Sequence, residues 1–126
     1  MNNDITLRQE PRRVLVIEDD LDTAQTLAFL LRDFGHEVHY AITVNAAMSI
    51  ASRFLPEVVL VDLGLPDGDG ADVARRLRRH PHMRRSRIVA ITGLGLEQRE
   101  QALQAGCDEF LRKPVDPQVL EKALQE

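Results

Sequence analysis

Val14-Leu15-Val16-Ile17-Glu18-Asp19-Asp20 runs four apolar residues straight into three carboxylates. Four aliphatic residues in a row, three of them β-branched, read as a strand covered on both faces. The same grammar recurs along the chain. Val58-Val59-Leu60-Val61 ends on Asp62, and Ile88-Val89-Ala90-Ile91 ends on Thr92. His36–Ile42 and Asp108–Arg112 read as two further strands, the last followed by Lys113-Pro114. Between the strands lie segments of helical period. Leu21–Phe34 places Leu27, Leu30, Leu31 and Phe34 on one face, and Gly35 offers a left-handed stop. Thr43 is suited to cap a helix through Phe54, with Ala47, Ile50, Ala51 and Phe54 inward and Pro56 beyond its end. Gly70–Arg79 and Leu96–Ala105 are the third and fourth helices, Gly106 closing the latter, and Asp116-Pro117 opens the last. Five consecutive βα units with right-handed crossovers predict a doubly wound α/β fold, an open parallel sheet between two layers of helices.

The composition fits one such domain. The chain has 126 residues, 44% hydrophobic and 29% charged, which excludes disordered, collagenous and disulfide-stapled classes. We expect a polar tail over 1–11 and a folded domain over 12–126. Cys107 is the single cysteine, so neither an internal disulfide nor a cysteine zinc cluster can form. No apolar run approaches the ~20 residues of a membrane span, and the first eleven residues lack the apolar centre of a signal peptide. The expected location is cytoplasmic, away from membranes.

A net charge of −4 argues against general nucleic-acid binding, but the distribution says more than the sum. Eleven acids and two arginines lie between Val14 and Asp72, whereas Val73–Ala90 holds seven arginines and no acid. In an open α/β sheet, ligands bind beyond the carboxyl ends of the strands. Glu18-Asp19-Asp20, Asp62, Thr92 and Lys113 all sit at those ends. With the first and third strands adjacent, Glu18, Asp19 and Asp62 share one pocket. Two carboxylates ~5 Å apart repel by about 3 kcal/mol at an effective dielectric of ~20, and a hard divalent cation is the natural compensation. Mg2+ takes oxygen ligands and keeps several waters. Asp19, Asp62 and the backbone carbonyl of Gly64 are the expected direct ligands, with Glu18 acting directly or through water, and Mn2+ as a substitute ion. Three carboxylates, the Lys113 ammonium and a divalent cation cancel, so the pocket can accept a phosphoryl group. Asp62 is then the nucleophile, with the metal and Lys113 stabilising the transferring oxygens and Thr92 a switchable donor to the product.

From about Arg13 to Leu124 these residues resemble the receiver domain of two-component response regulators. The resemblance is carried by Val-Ile-Glu18-Asp19-Asp20, Val-Asp62-Leu-Gly64-Leu-Pro66, Asp69-Gly70, Thr92-Gly93, Ala105-Gly106 and Lys113-Pro114. It implies a flavodoxin-like (βα)5 sandwich with a five-stranded parallel sheet in the order 2-1-3-4-5. It also implies Asp62 as phosphoacceptor in a phosphorelay, a histidine kinase or phosphotransfer domain as donor, and a switch pairing Thr92 with an aromatic three residues before the lysine, here Phe110. The surface of the fourth helix, fifth strand and fifth helix is the implied dimer or partner face. The protein would then be a signalling module and no enzyme beyond its own phosphorylation and dephosphorylation. Gly64 and Leu94, two positions beyond Asp62 and Thr92, offer no side chain to orient water on a phosphoaspartate, so dephosphorylation is expected to lean on a partner or to be slow.

Two alternatives share parts of this pattern. A haloacid-dehalogenase-like phosphatase also uses an aspartyl nucleophile and Mg2+, but wants a second Asp where Gly64 stands. A phosphorylation-independent interaction domain on the same fold typically loses an acidic or lysine position, and none is lost here. Asp67–Asp72 fails as a calcium loop because glycine falls at its fourth rather than sixth place. His36, His39, His80 and His82 lack zinc spacing and are expected to be solvated or half-buried. The arginine run, Arg75 to Arg87, is expected to be a solvated face, with a docking surface for an acidic partner as the next reading and nucleic acid the last.

Overall fold

Each aliphatic run forms a strand and each stretch of helical period a helix. In chain order these are β1 (Arg13–Ile17), α1 (Leu21–Asp33), β2 (Glu37–Ala41), α2 (Val44–Phe54), β3 (Val58–Asp62), α3 (Gly70–Arg79), β4 (Arg87–Thr92), α4 (Leu96–Gln104), β5 (Glu109–Arg112) and α5 (Pro117–Gln125). The computed structural model describes residues 10–63, 70–81, 83–93 and 96–125. All strands pair in parallel in the order β2-β1-β3-β4-β5. The register is level at the carboxyl end: Ile17 lies beside Ala41 and Val61, Asp62 beside Ile91, and Thr92 beside Arg112. That alignment brings Glu18, Asp62 and Thr92 to one edge of the sheet.

Alternation along the buried strands divides the core into two layers. Leu15, Ile17, Val59, Val61, Ile88 and Ala90 pack with Ala47 and Ala51 of α2, Ala74 and Leu77 of α3 and Ala102 of α4. Val14, Val16, Val58, Leu60, Val89 and Ile91 pack with Ala28 and Leu31 of α1 and Leu120 and Leu124 of α5. This is the expected three-layer, doubly wound, flavodoxin-like sandwich. Among the described residues, no helix is long and apolar enough to cross a membrane.

The local stops are those of the sequence reading. Gly35 and Gly106 close α1 and α4 at φ +101° and +111°, a region glycine enters without a Cβ clash. Thr43 caps α2 by accepting from Ala46 N at 3.1 Å. Asp116 takes the Gln118 N–H at 2.7 Å ahead of Pro117. Leu55 ends α2 in the left-handed region, φ 53°, before Pro56.

Two expectations need correction. The buried face of α1 is Ala24, Ala28 and Leu31, with Leu27 and Leu30 only partly covered and Phe34 at 37% exposure. The two alanines allow close approach to the sheet, turning the stripe away from the one marked by the largest side chains. His36 is wholly buried rather than solvated or half-buried. Its Nδ1 accepts from Arg12 N at 3.0 Å, so Nε2 carries the proton donated to Glu121 Oε1 at 2.8 Å. The partner that makes burial affordable lies on α5, 85 residues away.

Candidate functional site

The site grows out of the turn between β1 and α1. Beyond Ile17, Glu18 N continues the β2 ladder by donating to Ala41 O at 2.9 Å. Asp20 then leaves the sheet as the N-cap of α1, its carboxylate accepting from Thr23 N at 3.1 Å and from the Thr23 hydroxyl. Those bonds hold the Asp20 carboxyl below the ordinary aspartate value and commit it to capping. The same turn aims the Asp20 N–H at Glu18 Oε2, 3.2 Å away. Glu18 is therefore fixed by a backbone donor that side-chain reading of the sequence did not single out.

Glu18 is buried, Asp62 at the end of β3 is half-buried, and Asp19 is exposed. One carboxylate oxygen from each lies within 4.8 Å of the others. Lys113, just past β5, is tethered by its N–H to Thr92 O at 2.9 Å. Its Nζ donates to Glu18 Oε1 at 3.0 Å and to Asp62 Oδ2 at 3.1 Å. Burial is the largest influence on Glu18 and, with the Asp62 charge, raises its pKa despite the bonds from Asp20 N and Lys113. For Lys113, burial works against the charge, but the bonds and charges of Glu18 and Asp62 outweigh it and raise its pKa.

The Lys113 ammonium thus bonds to two of three converging carboxylates, Glu18 and Asp62. At 4.8 Å and an effective dielectric of ~20, each unrelieved pair costs about 3 kcal/mol. The donor set is all oxygen and comes from two adjacent strand ends, with Asp19 on the open side. It fits a hard divalent cation that keeps water on its outer face. Among the described residues no other group of three or more His, Cys, Asp or Glu converges this way. The expected carbonyl ligand, Gly64, lies outside the described residues.

Thr92 is buried at the end of β4. Strand alternation puts it on the same face as Ile88 and Ala90, the face against which the half-buried Phe110 packs. Phe110 pairs with Ala90, one alternation back from Thr92 on the neighbouring strand. The two expected switch residues therefore share a face on neighbouring strands.

The chain matches the family model described as "Response regulator receiver domain" over residues 14–125. It is 35% identical over 114 residues to a 14.6 kDa protein of Leptolyngbya boryana, covering 90% of this chain and 87% of that one. It is 36% identical over 109 residues to Response regulator PleD of Caulobacter vibrioides, covering 86% of this chain but only 24% of PleD. Among solved structures, the receiver domain of sensor histidine kinase PA1611 from Pseudomonas aeruginosa superposes with a TM-score of 0.83 at 31% identity, over 92% of this chain and 96% of that one. That structure holds a magnesium ion coordinated in its active-site cleft.

Proposed function

The chain belongs to the response regulator receiver domain family, and from that premise we propose that it is a phosphoacceptor taking a phosphoryl group onto Asp62 from a histidine kinase or phosphotransfer domain. Receivers are in general signalling modules rather than enzymes, and they bind Mg2+ at an acidic site. The observation carrying the proposal is the Glu18, Asp19 and Asp62 cluster, with Lys113 Nζ 3.0 Å from Glu18 and 3.1 Å from Asp62.

Glu18, Asp19 and Asp62 would hold Mg2+, with Mn2+ as a substitute and the Gly64 carbonyl as a further ligand. When bound, the cation supplies charge neutralisation for the pocket and for the transferring oxygens. An Asp62 oxygen attacks phosphorus, the donor's N–P bond breaks, and its electron pair returns to the imidazole nitrogen. Lys113, held between two carboxylates, donates to a phosphoryl oxygen. The Thr92 hydroxyl donates to another, and Phe110 repacks as Thr92 moves. In this reading the receiver spans 12–126 in the cytoplasm. Its output or dimer face is α4, β5 and α5, where Leu103 and Val119 are 37% and 50% exposed.

The test is intact mass after incubation with acetyl phosphate and Mg2+. Wild type is expected to gain one phosphoryl group and Asp62→Asn none. No gain by wild type, or equal gain by the variant, overturns the proposal.

A further inference from the structure

The seven arginines of Val73–Ala90 do not form one uniform solvated face. Arg75 pairs with Asp72 at 2.9 Å, and Arg87 with Glu109 at 3.1 Å. Arg78 is saturated. Its Nε and Nη2 donate to Gly106 O at 3.0 and 2.8 Å, Nη1 to Arg84 O at 2.9 Å and to Ser86 O, and Nη2 to Asp108 Oδ2 at 2.6 Å. One planar fork thereby ties α3 to the turn before β4 and to the turn between α4 and β5. Gly106 is part of the same device, since a Cβ there would come within 3.1 Å of Arg78 Cγ. Arg76, Arg79, Arg84 and Arg85 are exposed and have no acidic partner among the described residues.

Arg84 and Arg85 stand at the rim of a cleft of about 630 Å3, with Arg78, Ser86, Gly106 and Asp108 among its walls. Its fixed donors are already used. Ser86 Oγ donates to Pro56 O at 2.7 Å, Gly106 N to Leu103 O at 3.2 Å and Cys107 N to Ala102 O at 3.0 Å. The walls therefore offer no nest for a lone small anion. The unengaged donors are guanidinium forks at the rim, which match carboxylates bidentately. Among the described residues no aromatic side chain lines the cleft, so they offer no platform on which bases could stack. The chain's net charge of −4 and its acidic opposite pole disfavour a long polyanion, while a short acidic segment meets this pole alone. The surface lies at the amino-terminal end of β4, with Thr92 at the other end, about 16 Å away at ~3.3 Å per residue. A ligand here leaves the Asp62 pocket open.

We propose that this cleft is a docking surface for a carboxylate-rich polypeptide segment, gripped by Arg84 and Arg85 on a floor held rigid by Arg78 and Gly106. The association is steered by charge and weakens steeply with salt.

The test is fluorescence anisotropy of a labelled ten-residue Glu/Ser peptide with five glutamates, against its Gln/Ser counterpart and a single-stranded oligonucleotide of equal charge. Expected results are binding of the acidic peptide alone, at least tenfold weaker for Arg84→Gln/Arg85→Gln and unchanged for the equal-charge control Arg99→Gln/Arg112→Gln. Absence of binding, equal weakening by both double variants, or tighter binding of the oligonucleotide overturns the proposal. Phosphoryl uptake from acetyl phosphate by Arg84→Gln/Arg85→Gln shows that its pocket is intact, so this result stands apart from the Asp62 test.

Discussion

The two ends of the sheet carry opposite charge and handle it in opposite ways. At the carboxyl end three carboxylates come within 4.8 Å of one another, with one ammonium bonded to Glu18 and Asp62, so negative charge exceeds positive around a single point. At the amino end Arg78 is satisfied by three carbonyls and Asp108, and the unspent charge points outward from the rim. Converging like charges make a site that needs a counter-ion to be quiet. Charge consumed by backbone carbonyls makes structure instead. Net charge of a segment tells neither story; the partners of each group do.

Three changes would break or sharpen that contrast. Lys113→Ala removes the ammonium that bonds to Glu18 and Asp62, so phosphorylation by acetyl phosphate should slow about 100-fold, the scale of losing one preorganised charged donor. Mg2+ affinity, measured by calorimetry, should hold or rise because the carboxylates lose their competitor. A fall in both would mean that Lys113 acts by holding the pocket's shape. Arg78→Ala attacks the other end. It strips the carbonyls of Gly106, Arg84 and Ser86 and leaves Asp108 with the Ile88 N–H but without its cation, which should cost about 3 kcal/mol in urea unfolding, the scale of breaking charge-assisted bonds at a part-buried site. Mg2+ binding should survive, since the acidic pocket lies at the far end of the sheet.

The smallest effect is a pH dependence at the amino end. Burial, opposed by the Arg78 charge, pushes the Cys107 thiol from 9.0 up to about 11. The folded state holds that proton more tightly, so the contribution is fully present below pH 9 and is lost as pH rises towards 11. Between pH 8 and 10.5, wild type should lose about 2 kcal/mol more stability than Cys107→Ala, a shift of two pH units being worth roughly 3 kcal/mol in all. Parallel pH profiles would show that the thiol is open to solvent.

Legibility in the sequence followed the range of the physics. Asp20, Thr43 and Asp116 cap helices through bonds two or three residues long, and Gly35 and Gly106 stop them through their own φ, so these positions could be read in place. The inward face of α1 is not legible from its largest side chains, because alanine packing depends on how closely the sheet approaches. The burial of His36 is not legible locally, because its acceptor, Glu121, is 85 residues distant. The acidic pocket was legible as a set of strand-end residues, yet the Asp20 N–H that steadies Glu18 was not, since every residue carries that donor and only the turn aims it.

By itself the sequence determined the five βα units, the strand-end chemistry and the family. Those follow from periodicity and motif order, which are properties of neighbours along the chain. The tertiary structure alone decided that Glu18 is the buried carboxylate and Asp19 the exposed one, that Lys113 bridges Glu18 and Asp62, and that Arg78 is spent while Arg84 and Arg85 are not. Those are matters of desolvation and pairing, set by what the strand order brings together from 51 and 95 residues apart and by the carbonyls a single guanidinium can reach.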